Sequence, residues 1–125
     1  TYSKNEHNFY FVNLVDLDML YGHREDPEGY YEGLKIIDRY IGDLLKILDN
    51  DDLLLLTGDH GTDPTDGKTD HSREYVPLVA YQNNIEGNNI GERDTFGVIA
   101  STICEFFGLE NIFYGESILQ EIIKK

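Results

Sequence analysis

The sequence lacks tryptophan entirely and has only one cysteine, one methionine and three prolines among its 125 residues. A lone cysteine, Cys104, cannot form an internal disulfide, which excludes a disulfide-stapled scaffold and is typical of a reducing compartment. No apolar run approaches the roughly 20 residues that a membrane-spanning helix needs, and the first residues lack the basic-then-apolar pattern of a leader. We therefore expect a cytoplasmic protein without a membrane partner.

Positive charge is also scarce. The chain has 10 Lys and Arg residues against 24 Asp and Glu residues, which gives a formal net charge of -14 and a pI of about 4.4. A chain this acidic does not attract nucleic-acid phosphates or an anionic membrane surface by its overall charge. We expect no nucleic-acid partner, whereas clustered carboxylates could hold cations.

The apolar pattern predicts an α/β fold. Strands are predicted over residues 9–15, 53–56 and 76–81, and the first two are separated by a long helix that starts at Pro27 and closes near Asn50. A strand, a helix and a second strand form a βαβ unit, whose strands run parallel with a right-handed crossover. Two shorter helices are predicted over 96–107, capped by Asp94 or Thr95 and stopped by Gly108, and over 117–123. The whole chain, 1–125, is thus expected to be a single domain with a partial, mainly parallel sheet flanked by helices.

Three of the four histidines lie near aspartates and outside the predicted helices and strands. They are His23, with Asp18, after the first predicted strand; His60, with Asp59, after the second; and His71, with Asp70, in the irregular loop 58–75. Because the carboxyl ends of parallel strands meet at one edge of a sheet, and ligand sites form there, we expect one cluster. Taken singly, each pair could also be an ordinary turn or surface group, and Asp70 fits a turn best.

The residue types in this set favour a transition metal. Carboxylate oxygens and imidazole nitrogens together suit Mn, Zn or Fe better than Ca. Five candidate ligands exceed what one tetrahedral ion with an open position takes, so two ions about 3.5–4 Å apart would use them better. Such a pair of ions suits phosphoryl transfer. The candidate metal ligands are Asp18, His23, Asp59, His60 and His71.

Three segments closely resemble the phosphopentomutase family of the alkaline phosphatase superfamily. They are DMLYGHRED at 18–26, TGDHGTDPT at 57–65 and TDHSREYVP at 69–77, and they follow one another in the family's order and spacing. The triplet Asp-His-Gly alone would indicate only the superfamily. Its combination with the other two segments is much more specific, and the resemblance extends from about residue 9 to the C-terminus.

The resemblance implies an alkaline phosphatase-like core and an isomerase that interconverts ribose 1-phosphate and ribose 5-phosphate, and the deoxyribose pair. In the family, two Mn²⁺ ions serve a phosphothreonine that a sugar bisphosphate primes. Carried over to this sequence, Asp18, His23 and His71 would bind one Mn²⁺, and Asp59 and His60 the other. The family's nucleophilic threonine, a further aspartate ligand and the cap domain lie upstream of the matching region.

We therefore expect this chain to be the C-terminal segment of a larger enzyme core, with no catalytic nucleophile of its own and little activity alone. Its open sheet would pair with the remainder of the enzyme or with another copy. Two alternatives stay open. One is another superfamily enzyme, such as a cofactor-independent phosphoglycerate mutase or a phosphatase. The other is a non-catalytic remnant that binds a metal or a partner.

Overall fold

The computed structural model describes residues 8–123, which contain four helical segments and two strands. In chain order these are a π-helical turn (Leu17–Gly22), helix α1 (Pro27–Leu45), strand β1 (Leu54–Thr57), strand β2 (Leu78–Tyr81), helix α2 (Gly97–Phe106) and helix α3 (Leu119–Ile122). The chain divides into two compact units; the first combines residues 8–41 with 62–73, and the second combines 42–61 with 74–123. Within the described residues, no helix has both the length and the apolar character that a membrane crossing requires.

Helix α1 begins at Pro27, as predicted, because proline fits the first helical position, where its missing N–H would have no partner. The carboxylate of Asp26 accepts a hydrogen bond from the Gly29 N–H at 2.9 Å, which satisfies one of the unpaired donors of the first turn. The helix ends at Leu45, earlier than the predicted end near Asn50, because a tighter three-residue turn follows it.

Two glycines of α1 leave room for the side chains of the π-helical turn. A Cβ atom added at Gly29 would lie 2.4 Å from Tyr21 Cδ1, and one added at Gly33 would lie 2.8 Å from Leu17 Cδ2. Glycine weakens a helix by about 1 kcal/mol relative to alanine. At these positions the loss of helix propensity is offset by close packing against the turn.

The strand predicted over residues 9–15 is not formed, and that prediction is wrong for this structure. Large apolar side chains of the segment are exposed, including 84% of Phe11 and 72% of Val12. A strand exists only through hydrogen bonds to a neighbouring strand, and the described residues place none beside this segment. The apolar run indicates a segment that is covered on both faces, but residues 8–123 do not contain the cover.

Strands β1 and β2 form the one sheet found in the described part of the chain, and they are antiparallel. Leu54 pairs with Tyr81, and Thr57 pairs with Leu78. The strands predicted at 53–56 and 76–81 are therefore confirmed with slightly different bounds. The mixture of helices and strands agrees with the predicted α/β class. The mainly parallel sheet is not found, because the segment expected to pair in parallel with β1, residues 9–15, forms no strand.

Helices α2 and α3 pack together in the second unit and supply the buried apolar side chains. These are Val98, Cys104, Ile118, Leu119 and Ile122. Thr102 lies fully buried between them, where its hydroxyl donates to the Val98 carbonyl at 2.6 Å and accepts from the Ile118 N–H at 3.1 Å. Cys104 is buried in this packing. The helix predicted over 96–107 is confirmed, but its buried face contains Val98, Thr102 and Cys104, whereas Phe96 and Phe107 are exposed.

Of the signals predicted at the two ends of α2, the stop at Gly108 is confirmed, whereas the N-cap residue is Phe96, which makes no side-chain cap. The Thr95 hydroxyl accepts a hydrogen bond from the Gly97 N–H at 3.1 Å. Gly108 has a φ of +65°, the left-handed conformation that glycine adopts without strain after a helix.

Candidate metal centre

The π-helical turn places Asp18 and His23 on one side of the first unit. The His23 N–H bonds to the Asp18 carbonyl at 3.0 Å, five residues back, and Asp26 N–H repeats this spacing with the Tyr21 carbonyl. The sequence did not predict this turn; Asp18 belongs to it, whereas His23 follows it and lies outside the helices and strands, as expected. π-helical turns are rare in proteins, and those that occur are often found at functional sites.

Asp18 lies between two imidazole rings. Its Oδ2 is 3.3 Å from His23 Nε2, and its Oδ1 is 3.6 Å from His71 Nε2. The ring centres of His23 and His71 are 5.0 Å apart, with a tilt of 34° between the planes. The structure thus brings together Asp18, His23 and His71, the three residues expected to share one ion, as one carboxylate and two Nε2 atoms.

The ring of His23 is held in one tautomer by the backbone of the loop. Its Nδ1 lies at hydrogen-bonding distance from the Thr69 carbonyl oxygen. Because a carbonyl can only accept, Nδ1 is the donor, which leaves Nε2, the atom that faces Asp18, as the nitrogen that could bind a metal. A metal-binding histidine characteristically uses its second nitrogen in this way. Sequence reasoning missed Thr69, since a backbone carbonyl leaves no trace in residue type.

Gly22 positions His23 through close packing. A Cβ atom at Gly22 would lie 2.8 Å from Thr62 Cγ2 and 3.5 Å from Asp18 Oδ1. The φ of Gly22 is not positive, so its backbone conformation does not require glycine. The requirement for glycine is therefore steric, and the methyl group of Thr62 occupies the space that a side chain would need.

The second unit carries the other candidate pair, Asp59 and His60, directly after β1. His60 Nε2 is 3.6 Å from Asp59 Oδ1, and His60 Nδ1 donates to the Gly61 carbonyl at 3.1 Å. In His60, as in His23, Nδ1 is thus the donor, and Nε2 is the nitrogen that could bind a metal. The Asp59 side chain is 79% exposed, so it can bind a ligand without first leaving a packed environment.

The loop over residues 62–73 is ordered by turns built on aspartate side chains. Asp63 Oδ1 accepts hydrogen bonds from both the backbone N–H (2.8 Å) and the hydroxyl (2.7 Å) of Thr65. These two bonds, the hydroxyl first, lower the pKa of Asp63 from its ordinary value. Asp66 Oδ1 similarly accepts from the Lys68 N–H at 2.9 Å. The loop that carries His71 and the Thr69 carbonyl therefore has its own internal hydrogen bonds, as expected for a functional loop.

The donor set fits a divalent transition metal. Asp18 offers a carboxylate, which is a hard oxygen ligand. His23 and His71 offer imidazole nitrogens, which are ligands of intermediate softness, and Mn²⁺, Fe²⁺ and Zn²⁺ favour this combination. The tautomer of His23 is already the metal-binding one. A bound ion would supply positive charge that attracts and polarises a phosphate oxygen.

Comparison with known proteins assigns the family. The profile of the metalloenzyme superfamily matches residues 1–111. The chain belongs to this superfamily. Among curated relatives, this metalloenzyme chain is similar to the phosphopentomutase of Lachnoclostridium phytofermentans, with 49% identity over 116 residues, which is 92% of this chain and 30% of the relative.

Two further relatives give the same result. The phosphopentomutase of Carboxydothermus hydrogenoformans is 54% identical over 111 residues (85% of this chain, 29% of the relative). That of Dictyoglomus thermophilum is 48% identical over 122 residues (97% of this chain, 31% of the relative). The chain spans about 30% of the length of these relatives. The resemblance drawn from the three motifs is thereby confirmed.

Proposed function

We propose that this chain is the C-terminal, metal-binding part of a phosphopentomutase, an isomerase that interconverts ribose 1-phosphate and ribose 5-phosphate and the deoxyribose pair. The observation that carries the proposal is the joint occurrence of the Asp18–His23–His71 cluster and of 48–54% identity to three phosphopentomutases along most of the chain. The names of these relatives support pentose phosphates, not phosphoglycerates, as the proposed substrates.

In this proposal, Asp18, His23 and His71 hold one Mn²⁺ ion, and Asp59 and His60 hold a second. The ions would neutralise a transferred phosphoryl group and lower the pKa of the attacking hydroxyl. The chain's own residues provide the orientation. The Thr69 carbonyl fixes the His23 ring, the Gly61 carbonyl fixes the His60 ring, and the packing of Thr62 on Gly22 fixes the backbone before His23.

We place the nucleophilic threonine, a further aspartate ligand and the sugar-holding cap in the part of the longer protein that this chain does not span. None of the threonines near the site takes the nucleophile's position in the family pattern. The Thr65 hydroxyl donates to Asp63, and the Thr95 hydroxyl accepts from the Gly97 N–H at the start of α2. A sugar bisphosphate would prime the missing threonine, and the reaction would take place in the cytoplasm.

The same longer protein would cover residues 9–15. In this proposal the segment becomes a strand of a larger, mainly parallel, alkaline phosphatase-like sheet. Its exposed apolar side chains, Phe11 and Val12 among them, support this view, because a run of this kind marks a surface that another element packs against.

The test is turnover by the full-length protein. Ribose 5-phosphate is incubated with the protein, Mn²⁺ and a catalytic amount of sugar bisphosphate, and ³¹P NMR follows the formation of ribose 1-phosphate. We expect interconversion with pentose phosphates and none with phosphoglycerates. Turnover of phosphoglycerate, or net release of inorganic phosphate, would instead favour another enzyme of the superfamily.

The matched variant is Asp59→Ala. Because the Asp59 side chain is 79% exposed, its removal should leave the melting temperature almost unchanged. Turnover should be abolished, since a ligand is lost. Near-normal turnover with Mn²⁺ present would sink the ligand assignment, and absence of Mn²⁺ binding in the unaltered protein would favour a non-catalytic partner-binding role.

A further inference from the structure

Two hydroxyl groups of the first unit are buried without a hydrogen-bond partner in the described part of the chain. They are Thr62 Oγ1 and Ser72 Oγ. Native proteins satisfy the great majority of such groups, because removing a polar atom from water without replacing its hydrogen bonds lowers stability. Each unsatisfied hydroxyl therefore calls for a specific partner.

Both hydroxyl groups belong to residues that border the metal centre. Ser72 directly follows His71, whose Nε2 is 3.6 Å from Asp18 Oδ1. Thr62 packs its methyl group against Gly22, the residue before His23. Each residue therefore lies beside a different member of the Asp18–His23–His71 cluster. Ser72 is next to His71, and Thr62 is next to the backbone that precedes His23.

The buried hydroxyls of the second unit show a different pattern. Thr102 is fully buried and bonds to both the Val98 carbonyl and the Ile118 N–H. Ser101 is 1% exposed and donates to the Gly115 carbonyl at 2.9 Å. Away from the candidate centre, a buried hydroxyl is satisfied within the chain. The unsatisfied pair at the centre therefore points to a ligand that arrives with the function.

We propose that Thr62 and Ser72 each donate a hydrogen bond to an oxygen of a phosphate group bound at the metal centre. The inference rests on the proposed function only in taking a phosphate group as the ligand. Phosphate oxygens at neutral pH accept hydrogen bonds, and a hydroxyl is a neutral donor that does not compete with the metal for Asp18. Thr62 and Ser72 are thus phosphate-binding residues in addition to the metal ligands.

Conservative variants separate the hydroxyl from the shape of each side chain. Thr62→Val keeps the methyl group that meets Gly22 and removes only the hydroxyl, whereas Thr62→Ser keeps the hydroxyl. Ser72→Ala removes the second hydroxyl. The matched control is Thr102→Val, which removes a buried hydroxyl that already has its partners.

The experiment uses the full-length protein loaded with Mn²⁺ and titrated calorimetrically with inorganic phosphate. Thr62→Val and Ser72→Ala should each weaken phosphate binding about tenfold, the usual effect of losing a hydrogen bond to a charged group. Thr62→Ser should bind nearly as tightly as the unaltered protein. Mn²⁺ affinity, measured in the same samples, should be unchanged in all of them.

The melting temperature without metal or phosphate provides an independent readout. Thr62→Val and Ser72→Ala should melt no lower than the unaltered protein, because each removes an unsatisfied buried group. Thr102→Val should melt lower, because it leaves the Ile118 N–H without its acceptor, and it should bind phosphate normally.

Unchanged phosphate affinity in either variant overturns the assignment for that residue. A lower metal-free melting temperature would also overturn it, because the hydroxyl would then be bonded to another part of the longer protein. These outcomes are distinct from a failure of the proposed function. The proposed function would fail if the protein binds Mn²⁺ and phosphate, and the variants bind phosphate more weakly as expected, yet the protein does not interconvert pentose phosphates.

Discussion

At the scale of single residues, the contact between Gly22 and Thr62 sets the position of His23. An added Cβ at Gly22 would lie 2.8 Å from Thr62 Cγ2, closer than real Cβ contacts allow, while its next neighbours are at 3.4 and 3.5 Å. One methyl group on the opposing residue is thus the main obstacle to any side chain at this position.

This contact predicts that a substitution at Gly22 destabilises the protein and that a second substitution at Thr62 restores its stability. Gly22→Ala should lower the free energy of unfolding by about 1–3 kcal/mol, the usual effect of overpacking. In Gly22→Ala/Thr62→Ser, the methyl group is gone and most of the loss should be recovered. Urea unfolding of the full-length protein measures both. A double variant as unstable as Gly22→Ala would show that Thr62 is not the obstacle.

Residue identity alone predicted the candidate metal ligands better than it predicted the groups that hold them in place. Asp18, His23 and His71 could be singled out because carboxylates and imidazoles have a recognisable chemistry, and the structure brings them together. The Thr69 carbonyl and the unsatisfied hydroxyls of Thr62 and Ser72 could not be singled out, since their roles follow from backbone position and burial, which residue type does not encode.

At the scale of elements, the π-helical turn and helix α1 depend on one another through glycine. Leu17 and Tyr21 of the turn lie against Gly33 and Gly29 of the helix. The turn itself had no signature in the sequence, because its five-residue hydrogen bonds require no special residue pattern. The sequence also does not reveal why α1 contains glycine where a better helix former could stand. The reason is the close contact of Gly29 and Gly33 with Tyr21 and Leu17, which only the structure shows.

Alanine at two glycines of α1 should have opposite effects. Gly29→Ala should destabilise the protein by about 1–3 kcal/mol, because its Cβ would meet the Tyr21 ring at 2.4 Å. Gly42→Ala should leave stability unchanged or raise it by up to about 1 kcal/mol, since no atom lies within 4 Å and alanine is the better helix former. Thermal unfolding compares the two, and equal destabilisation would contradict the packing argument.

A second element-scale prediction concerns Glu105, which links α2 to the segment before and within α3. The Ser117 hydroxyl and the Gln120 amide, the latter at 2.7 Å, hold the pKa of Glu105 below its ordinary value of 4.5. A lowered pKa means that the unfolded chain takes up the proton at higher pH than the folded one. The stabilisation is therefore present above about pH 4.5 and is lost as the pH falls through the folded-state pKa.

Glu105→Gln should accordingly make the fall of the melting temperature between about pH 5 and pH 3 less steep than in the unaltered protein. Gln120→Ala should move the pKa of Glu105 back towards 4.5, which NMR titration of the side chain would detect. An unchanged pH profile in Glu105→Gln would contradict the assigned hydrogen bonds.

The elements predicted well are those whose packing partners lie within the chain. Helices α1 and α2 form where their apolar spacing predicted helices, and β1 and β2 pair with each other. Residues 9–15 have an equally clear apolar pattern, but a strand needs a neighbour that the described residues do not supply. The predicted parallel sheet depended on this one segment and therefore was not found.

At the scale of the whole molecule, the exposed segment 9–15 and the length of the relatives support the same proposal. The chain spans about 30% of each relative, and Phe11 is 84% exposed. In the full-length protein, the proposed strand should protect the backbone amides of 9–15 from hydrogen exchange. The irregular segment 86–92 is the internal control and should exchange fast. Fast exchange in both segments would contradict the proposed cover.

We propose above all that five side chains of this chain bind two divalent ions. The most direct test is the Mn²⁺ content of the full-length protein, measured by elemental analysis after dialysis, for the unaltered protein and for alanine variants at each ligand. We predict two ions per chain, with loss of at least one in the variants at Asp18, His23, Asp59, His60 and His71. The fourth histidine provides the control, and His7→Ala should retain both ions. Full Mn²⁺ content in the ligand variants would contradict the account.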